Sequence, residues 1–122
     1  MDSFTELEVW QKAHRLVLKI YKLTADFPNA ERFRLTDQLC RSASSIPANI
    51  AEGKGRNSRK EYVQFLYIAR GSLEETKYHL ILSRDLGYLS PERSGKLLEG
   101  YNEVGRVRNG LINSLKERNS NA

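Results

Sequence analysis

Apolar residues recur along this chain every three or four positions in four long stretches, separated by short runs rich in glycine, proline, serine and asparagine. The spacing predicts four helices, over about 6–26, 32–52, 59–86 and 91–117, with a frayed tail at 119–122. In the first, Leu7, Trp10, Val17, Ile20, Tyr21 and Thr24 make a broad apolar side. Phe27-Pro28-Asn29 stops it, because the residue before a proline is pushed out of helical geometry. In the second, Leu35, Leu39, Ala43, Ile46 and Ile50 lie within about 80° of one another at 100° per residue. Gly53 follows, and the turn Gly53-Lys54-Gly55-Arg56-Asn57 supplies the flexibility of a C-cap. Ser58-Arg59-Lys60-Glu61 has the capping-box pattern and opens the third helix, whose core side is Tyr62, Phe65, Leu66, Ala69, Leu73 and Leu80. Ser90-Pro91-Glu92 opens the fourth with a capping serine, a proline at the first helical position and an acid in the first turn. Its stripe is Leu97, Leu98, Tyr101, Val104, Leu111, Ile112 and Leu115. Such short connections force antiparallel neighbours, so the expected fold is all-α: one antiparallel, up-and-down four-helix bundle domain.

Several positions interrupt this pattern. Pro47 falls inside the second helix, where it removes the N–H owed to the carbonyl of Ala43, a cost of roughly 3 kcal/mol in an ordinary helix. A kink, or the hydroxyls of Ser44 and Ser45, offers partial relief. Beside the apolar stripe runs a polar band, Gln38, Arg41, Ser45, Asn49 and Glu52, where a solvated surface would carry mostly lysine and glutamate. The third helix has a matching line, Ile68, Ser72, Glu75 and His79. With the hairpin centred on 53–57, Gln38 faces Glu75, Arg41 faces Ser72 and Ser45 faces Ile68. Glu75 is therefore expected to bond Arg41, Gln38 or an arginine of the fourth helix. Arg108 stands in the middle of an apolar stripe, and must find a carboxylate, leave through a subunit interface or destabilise the fold. These residues form an expected structural network or interface: Gln38, Arg41, Ser45, Asn49, Glu52, Ser72, Glu75 and Arg108. Glycines 95, 100, 105 and 110 make the fourth helix intrinsically weak, so packing must hold it.

Ser45-Ile46-Pro47-Ala48-Asn49-Ile50-Ala51-Glu52-Gly53, followed by Ile68-Ala69-Arg70-Gly71-Ser72-Leu73-Glu74-Glu75, resembles the 23S rRNA-intervening-sequence protein family. Leu7-Glu8-Val9-Trp10-Gln11-Lys12-Ala13 and Leu86-Gly87-Tyr88-Leu89 fit the same pattern, so the resemblance runs from about Leu7 to Leu89. It implies an up-and-down helical bundle that assembles into a ring, typically a homo-pentamer. Members are similar to the accessory protein of diversity-generating retroelements, which binds nucleic acid and a reverse transcriptase. RNA or DNA, and a reverse transcriptase or other protein, are the partners that the resemblance implies.

Composition narrows the chemistry further. The chain has 122 residues, 39% apolar and 29% charged, with a net charge of +5 and one cysteine. It lacks an apolar run long enough to span a membrane and an N-terminal secretory pattern, and the expected location is the cytoplasm. Cys40 lies beside an apolar stripe and reads as a buried, inert thiol that cannot form an internal disulfide. No catalytic residue, metal ligand set or cofactor is expected. The paired Glu-x-x-His motifs of di-iron bundles are missing, Glu75 and His79 alone are too few ligands for a closed zinc site, and Lys54-Gly55-Arg56 lacks phosphate-loop spacing. His14, near Trp10, reads as structural.

Two basic groups remain as candidate phosphate contacts: Lys54, Arg56, Arg59 and Lys60 around the turn, and Lys12, Arg15, Lys19 and Lys22 on the outer face of the first helix. In a ring each charge is repeated about the axis and a modest patch becomes a band. The expectation is a self-assembling, non-enzymatic bundle that binds nucleic acid. The alternative is a protein-docking scaffold without that activity.

Overall fold

The structure, a computed structural model, describes residues 3–120, with side chains through residue 117. It contains helices α1 (Glu8–Thr24), α2 (Leu35–Lys54), α3 (Arg59–Asp85) and α4 (Pro91–Ser120), with 3-10 turns at Phe4–Glu6 and Asn29–Glu31. Each helix packs on its sequence neighbour, and α1 also packs on α4, closing an antiparallel up-and-down four-helix bundle. The α2–α3 pair has the most extensive contact. Helix α4 continues past residue 117 to Ser120; the last part of the expected frayed tail, 121–122, lies outside the described residues.

Helix ends are explained by their caps. The hydroxyl of Ser58 accepts from the Glu61 N–H at 3.1 Å and donates to the Glu61 carboxylate at 3.2 Å. Ser90 accepts from the Arg93 N–H at 3.1 Å, with Pro91 at the first helical position. Gly87 closes α3 at φ 85°, its N–H donating to the Arg84 carbonyl while the Tyr88 N–H donates to that of Ser83. Those two bonds are the Schellman arrangement, which needs a residue without a side chain at the left-handed position. At the same end the Tyr88 hydroxyl donates to Glu31 at 2.8 Å, tying the α3–α4 connection to the α1–α2 connection.

The core differs from the sequence pattern in α1. Val9, Ala13, Leu16, Val17, Ile20 and Leu23 are buried, Leu7 and Trp10 are only partly so, and Tyr21 faces out. The buried stripe is rotated toward Ala13, whose small side chain lies fully buried where α1 packs against its neighbours α2 and α4. Trp10 instead lies at the margin, stacked on His14 with ring centroids 4.7 Å apart.

Gly53 also differs from its reading as a capping glycine. Helix α2 runs through it to Lys54, with Gly55 as the C-cap. A Cβ on Gly53 would lie 2.8 Å from Cβ of Phe65 and 3.2 Å from the Tyr62 carbonyl, so α2 and α3 touch here nearly backbone to backbone.

Candidate functional site

The α2–α3 seam carries two polar layers inside an apolar interface. In one, Ser72 donates to Ser45 Oγ at 2.9 Å, and Asn49 donates to the Ser45 hydroxyl and carbonyl at 2.9 and 2.8 Å. In the other, Thr76 lies 2.9 Å from Ser42 Oγ, and Ser42 Oγ lies 3.4 Å from Nδ1 of His79. Thr76, Ser42 and His79 are all buried. The pairing is one helical turn further along α3 than the symmetric hairpin predicts, because Ser45 meets Ser72 rather than Ile68. Side chains on both helices lean toward their own N-termini, so an α2 residue meets an α3 residue later in sequence.

This register leaves the expected bonds to Glu75 unformed within the single chain. Arg41 turns along its own helix to Asp37 at 3.0 Å and is largely exposed. Glu75 approaches His79 Nε2 at 3.9 Å and is otherwise open to solvent, its side chain 57% exposed. The hydroxyls near Pro47 do not relieve the Ala43 carbonyl: Ser44 donates to the Arg41 carbonyl, and Ser45 is engaged with Ser72 and Asn49.

Glu75, His79 and Ser42 stand in the order of an acid, base and nucleophile, but their surroundings are those of a structural seam. The Ser42 hydroxyl donates to the Leu39 carbonyl at 3.2 Å, and the surface grooves of the bundle are lined by other residues. Burial lowers the His79 pKa below its ordinary value, and Glu75 partly opposes that shift. Among the described residues no group of three or more His, Cys, Asp or Glu is placed to hold a metal. Cys40 is half-buried, its Sγ 3.5 Å from the Thr24 hydroxyl.

The two basic groups are separated. The turn holding Lys54, Arg56, Arg59 and Lys60 lies at the bundle end occupied by the start of α1, whereas Lys22 lies at the other. Within each group some charges are engaged: Arg56 pairs with Glu52 at 2.8 Å and packs over the Phe65 ring, and Lys12 reaches Glu103 on α4 at 3.0 Å. Arg15, Lys19 and Lys22 remain exposed on α1. Lys19 and Lys22 share a groove of about 380 Å³ with Arg93 and Lys96 of α4, over a floor of Leu16, Leu23 and Leu97. Gly100 admits Leu16 to that floor, since a Cβ there would lie 3.0 Å from Leu16 Cδ2. The α4 half of this groove is absent from the residues named on sequence grounds. Its signal is the i, i+3 pair Arg93 and Lys96, whose meeting with α1 is a tertiary fact.

Arg108 is buried, only 4% exposed, yet no carboxylate among the described residues pairs with it. One terminal nitrogen donates to Asn109 Oδ1 at 2.7 Å, the other is 3.5 Å from the Leu66 carbonyl, and Nε has no partner. Of the residues grouped with it on sequence grounds, Ser45, Asn49 and Ser72 are brought together, while Gln38, Arg41, Glu52 and Glu75 line the outer side of the seam.

The family model of the 23S rRNA-intervening sequence protein matches residues 5–110. The chain belongs to the 23S rRNA-intervening sequence protein family. The Ser45-to-Gly53 segment that carries the resemblance thus contributes both the Ser45–Asn49 layer and the close contact at Gly53. A solved structure of similar fold comes from Bacteroides thetaiotaomicron, a protein of unknown function from the S23 ribosomal protein family. It is 28% identical, with a TM-score of 0.79 over 85% of this chain and 97% of its own. None of the curated proteins matches this chain in sequence. Among the described residues no helix of this family member is long and apolar enough to cross a membrane.

Proposed function

We propose that this protein is a non-enzymatic, self-assembling helical bundle of the cytoplasm that binds RNA or DNA through phosphate contacts. The α1–α4 groove carries the reading. Lys19, Lys22 and Arg93 are exposed there without ion-pair partners among the described residues, and Asp26 is the single acid among the groove's lining residues. A row of cations over an apolar floor suits a phosphate backbone, with sugar or base surface resting on the leucines. Lys54, Arg59 and Lys60 add a second positive region at the other end, where Arg56 is held by acids.

Self-assembly into a ring, a pentamer by the family resemblance, is supported by apolar side chains left outside the single bundle. Ile68 on α3 and Leu86 at its C-cap are each about half exposed, and Ile68 shares a helix face with Ser72 and Glu75. The rival reading, a protein-docking scaffold, draws on two exposed aromatic side chains, Phe33 in the α1–α2 connection, 85% exposed, and Tyr21 near the end of α1.

The deciding experiment compares nucleic-acid affinity of the native protein with two charge-neutral variants. One replaces Lys19, Lys22, Arg93 and Lys96 by glutamine, and the other replaces Lys54, Arg56, Arg59 and Lys60. Light scattering establishes that each keeps its oligomeric mass. Loss of affinity in the groove variant supports binding there, and native affinity in both variants removes it.

A further inference from the structure

A second groove, between α3 and α4, has chemistry unlike the first. It encloses about 380 Å³ and is lined by Arg70, Glu74 and Lys77 from α3, and by Tyr101, Arg106 and Arg108, with two asparagines, from α4. Four cations thus face one acid, and that acid already lies 3.6 Å from Lys77 Nζ. Neither Arg70 nor Arg106 has an ion-pair partner among the described residues. Two of the lining residues, Arg108 and Tyr101, each carry a buried polar atom, Nε and the hydroxyl, that has no hydrogen-bond partner among the described residues.

A buried guanidinium without a carboxylate is unfavourable, and the neighbouring positive charge of Arg70 adds to its cost. Burial, and next Arg70, push the Arg108 pKa below its ordinary range, and burial of Tyr101 pushes its phenol up. Burial accounts for the Tyr101 shift and leads at Arg108, where the charge of Arg70 adds to it; the excess of cations over acids is read from the lining residues themselves. Gly105, between Tyr101 and Arg108 on the same helix face, keeps the floor clear, as a Cβ there would meet nothing within 4 Å.

We infer that this α3–α4 groove is an oxyanion site for a phosphate group, with the buried Arg108 and the exposed Arg70 and Arg106 as its arginines. A phosphate offers several acceptor oxygens and up to two negative charges, which matches a guanidinium with an unused N–H, a phenol donor and two flexible arginines. The site is independent of the α1–α4 groove, sharing none of its residues. A phosphate free in solution and one in a nucleic-acid backbone present the same chemistry of recognition.

The test is thermal unfolding of the full chain in inorganic phosphate against chloride at matched ionic strength, with a parallel series in a short single-stranded oligouridylate. Native protein should show a saturable rise in Tm of roughly 5–10 °C at a hundredfold excess over the dissociation constant. Arg108→Met, which replaces a buried charge by an apolar side chain of similar length, should fold without phosphate and lose most of the rise. Arg70→Gln and Arg106→Gln are exposed substitutions that keep the test decisive should Arg108→Met not fold; each should weaken the effect. A rise with inorganic phosphate identifies a free oxyanion, and a rise with oligouridylate alone identifies a backbone phosphate. No rise in either series, or an equal rise in all variants, overturns the site. So does a change of oligomeric mass in Arg108→Met without any anion effect, which would assign the guanidinium to contacts between copies.

Discussion

Gly53 and Phe65 bring α2 and α3 into close contact: a methyl group on Gly53 would lie 2.8 Å from the Phe65 Cβ. Neither partner can yield easily, since Cβ of Phe65 is fixed to its backbone and the Tyr62 carbonyl lies on the other side. Gly53→Ala should therefore destabilise the bundle by about 1–3 kcal/mol, as overpacking does. Gly55→Ala, two residues later, meets only ordinary contacts at 3.6 and 3.8 Å and should be near neutral. Urea unfolding of the two variants side by side checks both.

The glycines of α4 should behave in the opposite way. Cβ atoms on Gly95 and Gly110 would meet nothing within 4 Å, so alanine adds helix propensity without a clash. Each substitution should stabilise by about 0.5–1 kcal/mol, raising Tm by a few degrees. Gly100→Ala should gain less, because Leu16 Cδ2 would have to move from 3.0 Å.

Much of this architecture was legible in the sequence, and the parts that were not share a cause. The stripes of α2, α3 and α4 mark the buried face because each helix packs along one broad side. Thr76 and Ser83 lie within the same arc of α3 as Leu73 and Leu80, but hydroxyl residues do not register as core, and both are completely buried. Gly53 shares the face of Leu35, a sign that a glycine there serves packing rather than a turn. The pairing of Ser45 with Ser72 was displaced by one turn, since it depends on how side chains lean between helices, which hydrophobic spacing does not record. The basic stripe of α1 was visible, but its meeting with Arg93 and Lys96 arises only when α4 folds back against it.

The Ser45–Ser72 bond should be measurable as a coupling. Ser45→Ala and Ser72→Ala together should cost less than the sum of the single changes by about 0.5–1 kcal/mol, because the double variant leaves no hydroxyl without its partner. A double-mutant cycle in urea reads this directly, and zero coupling would show that solvent replaces the bond.

His79 sets a pH dependence of known sign. Its folded pKa is lowered, by burial first and against the opposing pull of Glu75, so the unfolded chain binds the proton more readily. The contribution to stability is intact above the unfolded value of about 6.5, falls as pH drops through it, and levels off below the lowered folded value. Urea midpoints between pH 7.5 and 5.5 should decline in the native protein. The decline should be steeper in Glu75→Gln, which removes the neighbouring carboxylate that favours protonated His79.

The most direct test of the central claim, that the basic surface binds nucleic acid through phosphates, is fluorescence anisotropy with labelled structured RNA and duplex DNA across a salt series. The account predicts micromolar or tighter binding with a steep salt slope. In the variant lacking the charges of Lys19, Lys22, Arg93 and Lys96, that slope should be shallower by roughly 3 on a log–log plot. Absence of binding at low salt by protein of intact oligomeric mass would contradict it and leave a docking scaffold for another protein.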